Sequence, residues 1–138
     1  GEHGFTVEAS GISAGPDIAL ALPGLLSKVD LVTMLLDNTV VQYLDTVLDA
    51  AEEQGIAVYG SEVEQVLRGC VAAVGLDYIE LGRQTGAMAA RVLNGEDAST
   101  IPFELLKESA VYYNPEALSA LGMEMSADLL EGATDVTR

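Results

Sequence analysis

LVTMLLDNTVVQYLDTVLDAAEEQ, residues Leu31 to Gln54, decides the fold of this chain. Leu31 to Leu36 is too short for a helix and lacks polar alternation. It reads as a strand buried on both faces, the pattern of a parallel sheet. Polar chemistry starts where that strand stops, at Asp37-Asn38-Thr39. From there the apolar residues Val40, Val41, Leu44, Val47, Leu48 and Ala51 fall at helical spacing, and Gly55 stands at the left-handed cap position that ends such a helix. Asn38 or Thr39 is expected to cap the helix start, with Asp37 beside the positive end of its dipole. In an open α/β sheet a strand-to-helix turn lies at the carboxyl edge, where ligands bind. Asp37, Asn38 and Thr39 are therefore the first candidate ligand-binding residues, although a turn and a cap would explain them equally well.

Outward from this stretch the same rhythm repeats. Phe5 to Ala9 alternates and is expected to be a first strand, followed by the loop Ser10 to Gly15 and a helix from about Pro16 to Ser27, with Pro23-Gly24 kinking it or ending it early. After Gly55, Ile56 to Tyr59 reads as a strand, and Ser61 with Glu64 reads as a capping box for a short helix to Arg68. Val71 to Val74 is a further strand, and Asp77 with Glu80 is a second cap of that kind. It opens a long helix over Tyr78 to Leu93, with Leu81, Thr85, Met88 and Val92 inward and Gly82, Gly86, Ala89 and Ala90 allowing close approach to the sheet. Ile101 to Leu105 and Ala110 to Tyr113 are expected as strands around a turn at Lys107-Glu108. Asn114-Pro115 then opens a short helix, and Ser126 caps a last one through Glu131. Residues 1–131 are read as a single α/β lobe, and Gly132 to Arg138 as a flexible tail without core signal.

Four alternations of strand and helix imply a parallel, Rossmann-like or flavodoxin-like sheet with helices on both faces. Its carboxyl edge should collect Ser10 to Gly15, Asp37 to Thr39, Ser61-Glu62 and Asp77-Tyr78.

Composition narrows the chemistry. The 138 residues carry 22 acids and 6 bases, a formal charge of −16, with the acids scattered over both halves. Nucleic acid and anionic membrane surfaces are disfavoured as partners, because both need a basic face. The lone Cys70 excludes an internal disulfide and a cysteine-cluster metal site, and is read as a buried structural thiol. The only histidine, His3, stands in a terminal segment expected to be mobile, which leaves no histidine-based triad or metal set. Neither GxGxxG after the first strand nor GxxxxGK[ST] occurs. No catalytic residue, cofactor or metal is assigned, and the chain is not expected to be an enzyme. Binding fits better: a carboxylate at a cleft edge takes an ammonium, Asn38, Thr39 and Ser61 offer directional hydrogen bonds, and Tyr59 or Tyr78 either stacks on a ligand or packs. No run approaches the length that spans a bilayer and no signal peptide opens the chain. Since Gly1 to Gly4 leads almost directly into FTVEA, that says little about the natural gene.

In order along the chain, LLDNTVV, GIAVYGSE, VLRGCVAAVGLDYIELGRQTGAMAARVLNG and VYYNPEALSALGM resemble the second lobe of ABC-transporter substrate-binding proteins, in the family whose characterised members bind aromatic amino acids. The similarity covers roughly Phe5 to Glu131. It implies one lobe of a type I periplasmic binding protein, a cleft lined by Asp37, Asn38, Thr39, Ser61, Glu62, Asp77 and Tyr78, and hinge closure of two lobes on a small ligand, plausibly an amino acid. The partners it implies are the missing N-terminal lobe and the membrane permease of an importer. The full-length parent would be periplasmic or a membrane-anchored lipoprotein, and an isolated lobe would be open to self-association. Glu62 departs from the family's more usual serine-aspartate by one methylene. An effector-sensing lobe of a transcription regulator or sensor shares the fold and would be told apart by a DNA-binding or signalling domain. A flavodoxin-like small-molecule enzyme would need a cofactor that no motif here advertises.

Overall fold

Three of the short apolar runs are strands, and each is followed by a helix, so the strands run parallel with crossovers between them. In the computed structural model, which describes residues 4–106 and 109–137, these are β1 (Leu31–Thr33), β2 (Ala57–Gly60) and β3 (Ala72–Leu76). Val32 pairs with Val58, and Gly60 with Ala73. β4 (Ser109–Tyr113) lies antiparallel to β3, with Leu76 opposite Ser109 and Ala72 opposite Tyr113. β5 (Ala133–Asp135) runs parallel to β4 and completes a single sheet ordered β1-β2-β3-β4-β5.

Alternation along the strands sends side chains to two faces. Val32, Val58 and Ala73 meet Ile18, Leu22 and Leu26 of α1 (Asp17–Leu26), Leu44, Val47 and Ala51 of α3 (Leu44–Glu52) and Val66 of α4 (Val63–Leu67) in the main core. On the other face Ala57, Tyr59 and Tyr113 pack with Leu118 of α6 (Pro115–Ala120). The class is α/β, with helices on both faces.

Several elements depart from the sequence expectation for physical reasons. Phe5 to Ala9 joins no strand of the sheet, and Val7 is 84% exposed; alternation makes no strand without a neighbour to pair with. β1 is the edge strand and stops at Thr33, so of the expected run only Val32 and Met34 are buried while Leu35 and Leu36 face outward. The helix expected after Thr39 breaks at Tyr43 into α2 (Asn38–Gln42) and α3, and the Tyr43 ring lies against Gly15, where any side chain would collide with it. α1 runs through Pro23 to Leu26. Ile101 to Leu105 is irregular. Ala133–Asp135, in the stretch without core signal, is held by backbone pairing to β4. α7 (Ala127–Leu130) precedes it. His3 and the turn expected at Lys107-Glu108 lie outside the described residues.

α5 (Tyr78–Leu93) has the expected bounds but not the expected packing. None of its residues is buried, Thr85 and Val92 face outward, and nothing lies within 4 Å of a Cβ built on Gly82 or Gly86. The half-buried positions are Leu81, Gln84, Met88 and Arg91. Polar contacts tie this helix down: Gln84 Nε2 donates to Glu104 at 3.0 Å, and Arg91 bridges Glu96 and Glu104.

Candidate functional site

Because β1, β2 and β3 are parallel, the turns after them open on one edge of the sheet, and antiparallel β4 brings its first residue, Ser109, to the same edge. A Cβ on Gly75 would stand 3.2 Å from Glu62 Cα, so the Ser61-Glu62 turn rests on β3 two residues before Asp77. Asp77, Glu80, Gln84, Leu105, Leu106, Ser109 and Ala110 line a cleft of about 510 Å³.

Each turn is organised by a carboxylate at the start of a helix. Asp37, the last extended residue before α2, accepts from Thr39 N at 2.9 Å and Val40 N at 3.2 Å through Oδ1 alone. The cap is thus Asp37 and not Asn38 or Thr39, since only a residue still extended can turn its side chain back onto the first N–H groups. Asn38 is exposed and Thr39 half-buried beside it. Asp77 does the same for α5, accepting from Ile79 N and Glu80 N at Oδ1, while Glu80 turns to Arg83. Oδ2 of Asp37 and of Asp77 makes no hydrogen bond among the described residues and remains available to a ligand. Tyr78 is half-exposed next to Asp77, and the phenol of Tyr112 is pushed up by burial and then by the charge of Asp77.

Glu62 differs from the two aspartates. It is 7% exposed, and its two oxygens accept from Glu64 N at 2.8 Å and Gln65 N at 2.9 Å, so both are occupied within its own turn. It, and not Ser61, caps α4; the longer side chain reaches both N–H groups. Ser61 donates inward to Gln65, and Tyr59 packs in the α6 cluster. The sequence does not mark Gln65, Gln84 or Ser109, and marks Glu80 only as a capping partner of Asp77. A glutamine among Val63, Val66 and Leu67 was the available signal for the first; the others depend on the antiparallel return of β4. No cluster of three or more His, Cys, Asp or Glu able to hold a metal occurs among the described residues. No helix among them is long and apolar enough to cross a membrane.

This edge, with acceptors opening from an α/β sheet onto a cleft, has the form of a ligand-binding domain. Residues 1–137 match the family of ABC transporter substrate binding proteins, and the chain belongs to that family. A tyrosine-binding protein of Clostridioides difficile (strain R20291) is 33% identical over 128 residues, covering 92% of this chain and 37% of the relative. A crystallised ABC domain from Streptococcus pneumonia in complex with L-Trp superposes with a TM-score of 0.83 at 27% identity, over 97% of this chain and 45% of that one. A ligand-free, open substrate binding protein with adhesive properties from Clostridium difficile gives 0.79 at 31% identity, with the same coverage. The chain therefore spans less than half the length of these relatives.

Proposed function

We propose that this chain is one lobe of a two-lobe, type I periplasmic binding protein that captures an aromatic amino acid and hands it to the permease of an ABC importer. The observation that carries the reading is the pair of helix-starting aspartates, Asp37 and Asp77, on one sheet edge. Each uses one carboxylate oxygen for its helix and holds the other toward solvent, where a ligand ammonium can be met. The relatives named for tyrosine and bound to L-Trp support the ligand class. In the whole protein a second lobe completes desolvation by hinge closure, and the complex is presented outside the cytoplasm by a periplasmic or lipid-anchored form. The lobe works by binding, without catalysis. Alone it holds ligand weakly, because an exposed ion pair is worth little in water, and its exposed Leu35 and Leu36 favour self-association.

A thermal-shift screen of the full-length gene product against amino acids, sugars, nucleosides and divalent metals tests this. An amino acid at ~100 times its Kd adds about 2.7 kcal/mol of stability. Asp77→Asn keeps an oxygen for the Ile79 and Glu80 N–H groups but removes the charge, so it should abolish that shift while leaving the unliganded Tm nearly unchanged. A response confined to metals or nucleosides would sink the proposal.

A further inference from the structure

Gln65 is the most deeply buried polar side chain described, 1% exposed against 7% for Glu62 and 8% for Asn114. Its Oε1 accepts from Ser61 N at 2.7 Å and from Ser61 Oγ at 3.3 Å, while its Nε2 is buried without a hydrogen-bond partner among the described residues. A buried amide nitrogen without a partner is destabilising, and methionine of similar volume would avoid it. What the glutamine supplies in exchange, and methionine cannot, is an acceptor for Ser61. Its geometry is also enforced: Glu62 Oε1 holds the Gln65 N–H at 2.9 Å, and a Cβ on Gly60 would come within 2.9 Å of Gln65 Cβ and Oε1. Only glycine at position 60 lets the amide reach Ser61.

The short contact from a backbone N–H settles which end of the amide faces Ser61, since only an oxygen can accept there. The hydroxyl at the same oxygen must then be the donor. We infer that Gln65 is a specificity-setting positioning residue: by drawing the Ser61 hydroxyl proton inward across 3.3 Å, it biases that hydroxyl toward accepting from a ligand. With Oδ2 of Asp37 and of Asp77, the lobe then presents three acceptors on one edge of its sheet and receives the donor end of its ligand, the α-ammonium, while disfavouring a carboxylate at Ser61. This rests on the amino-acid reading above and adds the residue that sets polarity at the site.

Two readouts in the full-length gene product test it. Hydrogen exchange of the Ser61 amide, followed by NMR without ligand, should quicken about tenfold in Gln65→Met and return toward wild type in Gln65→Glu, which keeps the acceptor. Calorimetric Kd values for tyrosine and for its deaminated analogue, hydroxyphenylpropanoate, should show the preference for tyrosine falling about tenfold in Gln65→Met and surviving in Gln65→Glu, even where the buried charge of the latter lowers Tm. Unchanged Ser61 exchange in Gln65→Met, or a shift in Tm with no change in the ratio of the two Kd values, would overturn the inference. If wild type binds no amino acid, the functional reading fails instead, and the exchange measurement alone decides whether Gln65 holds Ser61.

Discussion

Asp37 and Asp77 each cap a helix with half of a carboxylate: a single oxygen satisfies two orphan N–H groups, and the other is left outside the turn. The sequence marks both acids as standing between a strand and a helix, but it pointed to Asn38 or Thr39 for the first cap, which falls on Asp37. The different fate of Glu62 was not legible, because one extra methylene decides whether the second oxygen also reaches an N–H. Beside that turn, burial first and the Glu62 charge second push the Cys70 thiol up to about 12 from 9.0, against a smaller pull downward by Arg68. The unfolded thiol loses its proton near the ordinary value and the folded one keeps it, so the stability tied to this proton is intact below pH 9 and is lost as pH rises toward 12. Urea unfolding between about pH 8 and 10.5 should show wild-type stability falling more steeply than that of Cys70→Ala, by up to ~1.4 kcal/mol per pH unit above the ordinary thiol value. Parallel pH profiles would show that the thiol does not titrate differently on folding.

Among the elements, local signals were read well wherever the neighbours in space are also neighbours in sequence. β2, β3, α5 and α6 lie within a residue or two of their expected bounds, because turn chemistry and capping acids mark their ends. β5 depends on pairing with β4, some way off in the chain, and periodicity carries no trace of that pairing or of the break at Tyr43. α5 is the instructive failure. Its small residues read as a close-packing stripe, yet the helix is held by Gln84 and Arg91 reaching Glu104 and Glu96. The Glu96 carboxyl is held below the usual carboxylate range, first by its hydrogen bond from Arg91. Since nothing crowds Gly82 or Gly86 and neither has a positive φ, alanine at each should stabilise the chain by about 0.5–1 kcal/mol through helix propensity. Denaturant unfolding of Gly82→Ala, Gly86→Ala and the double variant checks this, and a loss of stability would mean that this face packs against something in solution.

At the scale of the whole molecule, the gathering of distant turns at one edge followed from parallel alternation alone, whereas the cleft opposite Asp77 needed β4 to return antiparallel, which sequence spacing does not specify. Charge acts at this scale too. Arg68, Arg83 and Arg91 are each paired with acids at the surface, where such pairs contribute ~0–1 kcal/mol apiece. The remaining acids far outnumber bases within a formal charge of −16, so mutual repulsion outweighs those few attractions. Salt screens both, and the larger quantity decides the sign. Raising NaCl from ~10 to ~200 mM shortens the Debye length from about 30 Å to below 10 Å, and Tm should climb by a few degrees. A fall in Tm over that range would mean that the arginine ion pairs, and not the acidic field, dominate the electrostatics of the fold.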